Sequence, residues 1–321
     1  MPEFGLCATC VQDAINSHQP TPSKAEQKQE CGNKDKDSNE TCLDEDKLSE
    51  EEEDILEVEE MNDEENAWFL QDSTRTDTIV RRVKMDPELG SKLKPYQRQG
   101  VDFLWKNCFS DFNFTKNGDQ SQIGGCLLAH YMGLGKSLTT IATLHAALTC
   151  ESMLSKEQSK KSSKQTKHQK YLLQTVLLVA PANTLTNWVD EVKKWTGGLD
   201  TRLEITNLGA VTAGSRPKAI REWKREGGIM VLSDSMFIRA SNDIIKTGQP
   251  DILVLDEAHT MLKQRGNKGF KKLEDISTKR RILLTGTPLQ NNVSEYFRMV
   301  EYIRPGVIGV ESETEFEKKY R

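Results

Sequence analysis

Gly124-Gly125-Cys126-Leu127-Leu128-Ala129-His130-Tyr131-Met132-Gly133-Leu134-Gly135-Lys136-Ser137 is the stretch on which the fold turns. A short apolar run enters a glycine-rich loop. A segment with helical spacing follows, with Leu138, Ile141, Ala142, His145 and Leu148 on its apolar face. Between a strand and a helix, such glycines let successive backbone N–H groups converge on phosphate oxygens where the helix dipole favours negative charge. Gly133 and Gly135 permit the approach, Lys136 places a cation on the β- and γ-phosphates, and the Ser137 hydroxyl suits Mg2+. His130 stands where the first glycine of G-x-x-x-x-G-K-[ST] belongs, so the loop alone is a moderate signal. His145, alone on an apolar face, reads as a packed core histidine rather than a ligand.

Outward from this loop, strand and helix alternate. Pro95 opens a helix expected to carry Tyr96, Gly100, Phe103 and Leu104 on one side. Val176 to Ala180 reads as a buried strand, after which Asn183 is expected to cap a helix burying Leu185, Trp188, Val189 and Val192. Helical spacing of that stripe favours core packing of Trp188 over base stacking. Further strands are predicted at Ile229 to Ser233, Ile252 to Leu255 and Ile282 to Thr285, and a last helix from Ser294 to Ile303 ends at Pro305 and Gly306. Such alternation implies right-handed crossovers and an α/β, doubly wound parallel sheet with ligand loops at the strands' carboxyl ends.

Two further motifs fall at such ends. Ile252-Leu253-Val254-Leu255-Asp256-Glu257-Ala258-His259 delivers two adjacent carboxylates at the tip of an apolar strand. Asp256 suits a Mg2+ ion and Glu257 suits orienting and deprotonating an attacking water. Leu283-Leu284-Thr285-Gly286-Thr287-Pro288 ends another strand in small hydroxylated residues able to hydrogen-bond to the carboxylate loop.

The chain is long enough for one large domain or two ordinary ones, and 36% hydrophobic residues suffice for a sizeable core. Apolar periodicity is nearly absent before about Asp86. Residues 1–85 are therefore expected to be a disordered tail, 86–310 the nucleotide-binding domain with a basic insertion at 151–174, and 311–321 a truncated lead into a second lobe that is absent. The net charge of −5 is set by Glu40 to Glu65, where Lys47 is the only basic residue, and the remainder is net basic. Acidity therefore does not exclude a nucleic-acid partner. In the tail, Cys7 and Cys10 have C-x-x-C spacing and Cys31 and Cys42 follow, without the second close pair or histidines a zinc site wants. Unpaired thiols are the simpler reading. Seven cysteines, no basic-then-apolar leader and no membrane-length apolar run point to an intracellular, thiol-reduced protein.

Taken together, these residues resemble a superfamily 2 helicase-type ATPase, and more narrowly the Swi/Snf-type family of chromatin-remodelling and DNA-translocating motors. Lys94-Pro95-Tyr96-Gln97-Arg98-Gln99-Gly100, Met132 to Ser137, Asp256 to His259 and Leu284-Thr285-Gly286-Thr287-Pro288-Leu289-Gln290-Asn291-Asn292 carry the resemblance, which extends over about Lys92 to Arg321. Ala129-His130-Tyr131-Met132, the Ala180 to Thr184 segment with Asn187-Trp188, and the Tyr296 to Ile303 helix are similar to the ATRX-like branch. The resemblance implies the first recA-like lobe of an ATP-dependent duplex-DNA translocase. ATP would be held by Gln97, which reads the adenine edge, and by Met132 through Leu138. Lys136, Asp256 and Glu257 would be catalytic, and Ser137 and Asp256 the Mg2+ ligands. His259, Thr285, Gly286 and Thr287 would couple the site to conformation. It also implies a nuclear protein acting on double-stranded DNA or nucleosomes without sequence preference, through loops near Pro181 and Ser233. The acidic tail would be available to a chromatin partner. A catalytically silent chromatin-binding module and a strand-separating helicase fragment are the alternative readings. An arginine finger from the second lobe would supply about 10³–10⁵ in rate, so this chain alone is expected to bind Mg-ATP weakly and not to translocate.

Overall fold

A computed structural model describes residues 68–71, 83–109, 124–131, 133–149, 173–263, 266–286, 293–310 and 312–320. The acidic tail with its four cysteines, most of the basic insertion, Met132 and the segment from Thr287 to Asn292 lie outside the described residues. In chain order the elements are β1 (Phe69–Gln71), β2 (Val83–Lys84), α1 (Pro87–Ser91), α2 (Pro95–Cys108), β3 (Cys126–Ala129), α3 (Lys136–Thr149), β4 (Thr175–Ala180), α4 (Leu185–Thr196), β5 (Ile205–Asn207), α5 (Arg216–Glu226), β6 (Gly228–Ser233), α6 (Asp234–Thr247), β7 (Ile252–Leu255), α7 (Lys268–Glu274), β8 (Arg281–Thr285), α8 (Val293–Ile303) and α9 (Glu313–Tyr320).

Six strands form one parallel sheet in the order β3-β8-β7-β4-β6-β5. Because side chains alternate along a strand, successive apolar residues line opposite faces. Val176, Leu178 and Ala180 of β4 join Val254, Leu284, Ile141 and Trp188 in one core layer. Leu177 and Val179 join Leu255, Leu283, Phe237, Phe270 and Phe297 in the other. Helices α2, α3 and α4 cover the first face, and α5 to α9 contribute to the second. The sheet is thus α/β and doubly wound, as the alternation predicts.

Several expectations shift in detail. The buried stripe of α2 is Gln97, Gly100, Val101, Leu104, Trp105 and Cys108, with Tyr96 and Phe103 only half-buried. The helix therefore turns its polar Gln97 inward, towards the phosphate loop. Asn183 does not cap α4. The chain first makes a single 3-10 turn, Ala182–Thr184, leaving Asn183 exposed, and the N–H and hydroxyl of Thr184 both donate to the carbonyl of Pro181. Core packing also begins before Asp86, since Val83 and Met85 are buried, and it resumes at Leu173, within the last two residues of the expected insertion. Strand β5 at the sheet edge and the small antiparallel β1–β2 pair are too short to read from periodicity.

A candidate nucleotide site at the carboxyl edge of the sheet

Strand β8 lies between β3 and β7, so the tip ending in Thr285-Gly286 sits between the glycine loop and the carboxylate pair. Three motifs far apart in the chain thereby share one edge.

The loop after β3 is shaped by Gly133 (φ 84°) and Gly135 (φ 75°), both left-handed. A Cβ on Gly135 would come within 2.1 Å of the Gln97 amide nitrogen, whereas one on Gly133 would meet nothing within 4 Å. The loop is thus closely backed by α2 on one side and open on the other, as a phosphate cradle requires. Gln97 accepts the Lys94 backbone N–H at 2.9 Å and reaches the Leu134 carbonyl at 3.4 Å, which places it behind the loop. The ammonium of Lys136 donates to the His130 carbonyl at 2.9 Å and so folds back over the loop. Ser137 is half-buried in the first turn of α3, and Leu138 is buried beneath it.

His130 is 4% exposed and its Nδ1 has no hydrogen-bond partner among the described residues. Burial, and then the neighbouring Lys136 charge, lower its basicity. The imidazole is a neutral packed group and not a second cation for phosphate. His145 is also packed, its Nε2 lying 2.7 Å from the Thr201 carbonyl.

Just after β7, the Asp256 N–H donates to the Val179 carbonyl at 2.8 Å and the Ala258 N–H to the Leu284 carbonyl at 3.0 Å, pinning the carboxylate turn to strands on both sides. Glu257 has φ 46° and is the only non-glycine residue with positive φ among those described. Such a conformation costs on the order of 1 kcal/mol or more and persists only where neighbours enforce it. One Asp256 oxygen accepts the Trp188 indole N–H at 2.9 Å, and the other accepts the Glu257 N–H at 3.0 Å. Burial raises the Asp256 pKa, and adjacent Glu257 adds to the rise, against the Trp188 hydrogen bond and Lys136. Burial lowers the Lys136 pKa, opposed by the negative charges of Glu257 and Asp256. The cation of one motif and the carboxylates of another are therefore within electrostatic reach.

The third motif closes on the second. Gly286 N–H approaches Glu257 Oε2 at 3.4 Å, and His259 Nδ1 lies 3.4 Å from both that oxygen and the Thr285 hydroxyl. Thr285, Gly286 and His259, three of the four residues expected to couple the site to conformation, thus meet around Glu257, while Thr287 lies outside the described residues. The tips at Pro181 and Ser233 close neighbouring strands, with Ala180 opposite Ser233. Beside them Asp234 accepts the Thr260 hydroxyl at 3.2 Å, joining the Ser233 tip to the turn after the carboxylates.

Sequence reading missed Trp188 as a partner of Asp256. Helical spacing placed its ring in the core, and a buried indole N–H needs an acceptor, but nothing local names which one.

Residues 96–321 match the SNF2-related domain family. The chain is 34% identical to human transcriptional regulator ATRX over 244 residues, covering 71% of this chain and 9% of that protein. It is 33% identical to protein CHROMATIN REMODELING 20 of Arabidopsis thaliana over 253 residues (74% and 16%), and 30% identical to the mouse DNA repair and recombination protein RAD54-like over 239 residues (72% and 28%). The chain therefore spans less than a third of each of these relatives.

Proposed function

The chain belongs to the SNF2-related domain family, of which it carries an ATRX-like first recA-type lobe, and from that premise we propose that it binds Mg-ATP as the nucleotide-binding half of an ATP-driven duplex-DNA translocase. The observation that carries this reading is the convergence of Lys136, Asp256 and Glu257 at one sheet edge, with the loop open above Gly133.

The donor set fits the ligand. Backbone N–H groups from Gly133 to Lys136 would hold the phosphates, and Lys136 would exchange the His130 carbonyl for the β- and γ-phosphate oxygens. Ser137 and Asp256 would hold Mg2+, which when bound offsets phosphate charge and orients the terminal group. Glu257 is placed to align a water and take its proton, while Gly286 and His259 hold its carboxylate. Gln97, behind the loop, is assigned to the adenine edge. Contact with duplex DNA or nucleosomes would run through phosphates at the Pro181 and Ser233 tips, and so be sequence-independent and weakened by salt. A nuclear location, and an acidic tail that docks a chromatin partner, accompany this assignment.

Calorimetric titration of Mg-ATP into the chain tests it. Saturable binding is expected, with Lys136→Ala weakening it at least about a hundredfold, the scale of losing a charge-assisted phosphate contact. Absence of binding by the unaltered chain would reduce the assignment to ancestry.

A further inference from the structure

The turn that follows the carboxylates is tied to the C-terminal helix through one buried cation. Arg298 of α8 is 7% exposed. Its Nε donates to the Leu262 carbonyl at 3.1 Å and its Nη1 pairs with Glu313 of α9 at 2.5 Å. The Leu262 N–H in turn donates at 3.0 Å to the carbonyl of Ala258, the residue next to Glu257. A continuous path therefore runs from Glu313 through Arg298 and Leu262 to the strained residue that carries the reacting carboxylate.

Helix α9 is seated by more than this pair. Phe316 is fully buried with its ring 5.2 Å from that of Phe297, and the Ser294 hydroxyl donates to Glu317. Those contacts fix α9 on α8. Arg298 is the residue of this set that hydrogen-bonds to both the turn and α9. A buried guanidinium is tolerated when its charge is compensated, and removing its carboxylate leaves it seeking other acceptors or water. The Leu262 carbonyl would then lose its donor. The consequence reaches Glu257 because its left-handed backbone is imposed by surrounding contacts, not by its own preference.

We propose that Arg298 is a positioning residue for the Asp256–Glu257 pair, and that docking of α9 through Glu313 sets the geometry with which that pair handles metal and water. The proposal rests on the nucleotide reading above and adds a control point on it: displacement of α9 would loosen the carboxylate turn while leaving the phosphate loop intact.

The test is calorimetry of ATP binding to the whole chain, with and without Mg2+, for the unaltered protein, Glu313→Gln, Arg298→Met and the double variant. Each single change is expected to weaken Mg-ATP binding roughly tenfold. Metal-free ATP, held by Lys136 and the loop, should change by roughly twofold or less. The double variant should be no weaker than Arg298→Met, because Glu313 acts through Arg298. Equal losses with and without metal would make Arg298 merely structural, and additive losses would break the path. Either result overturns the proposal, as does no loss at all. If Arg298→Met does not fold, hydrogen exchange at the Ala258 and Leu262 amides of Glu313→Gln decides instead: faster exchange supports the path and unchanged exchange overturns it. An unaltered protein that binds no Mg-ATP would overturn the nucleotide reading itself, and this inference with it.

Discussion

Asp256 illustrates how a single residue is set against itself by its place in the fold. Burial and the adjacent Glu257 disfavour its charge, whereas Mg2+ would require the charge. A folded-state pKa above the ordinary aspartate value of 3.8 means that the native chain holds this proton more tightly than the unfolded chain. Its contribution to stability is present below the unfolded value and is lost as pH rises through the folded one. Metal binding runs the other way. Mildly acidic solution, just above pH 3.8, should therefore favour the metal-free fold at this site while weakening Mg-ATP binding at a higher pH than an ordinary aspartate would. Mg-ATP affinity measured across that range, against Asp256→Asn, checks this: a pH dependence that survives the substitution unchanged would assign the proton elsewhere. Much of this was legible residue by residue, since two carboxylates at the tip of an apolar strand announce themselves. The left-handed backbone of Glu257 was not, because nothing about a glutamate favours it.

At the scale of elements, the sheet is locked at the end opposite the site. Asp251, which precedes β7, accepts the Gln174 and Thr175 N–H groups and the Thr175 hydroxyl, each at 2.9 Å, and so clamps the start of β4 to β7. The Thr278 hydroxyl donates to the Asp251 carbonyl at 2.8 Å, bringing in the approach to β8. A strand slipped by one residue would turn its core face over, so a clamp at one end fixes which side chains arrive at the other. Asp251→Ala is expected to destabilise the lobe by about 3 kcal/mol, from three hydrogen bonds to one carboxylate. Urea unfolding measures it, and a loss below about 1 kcal/mol would show that packing alone sets the register. Elements with long, strong patterns were readable. Helix α3 was, although it is buried from Leu138 to Leu148 and not along one stripe. The cap at Asn183 was misread because Pro181 starts a 3-10 turn whose hydrogen bonds come from Thr184.

At the scale of the whole molecule, the candidate site lies along one edge of the six-stranded sheet, so among the described residues its groups would reach a bound phosphate from one side. The family resemblance places an arginine finger on a facing lobe. On the proposed function, an arginine finger supplied across the site from such a lobe would raise the ATP turnover of residues 1–321 by about 10³-fold or more. Phosphate release by residues 1–321 with and without an added facing lobe tests this, and no gain on its addition would refute it.

By itself the sequence determined the α/β alternation, the glycine loop with Lys136, and the carboxylates at a strand end, because each is written in contiguous residues whose period or backbone freedom acts locally. Tertiary structure alone decided the strand order that sets β8 between loop and carboxylates, the Trp188 hydrogen bond to Asp256, and the path from Glu313 through Arg298 to Leu262. Those depend on partners distant in the chain. A buried donor must find an acceptor, but which one it finds is settled only when the layers pack.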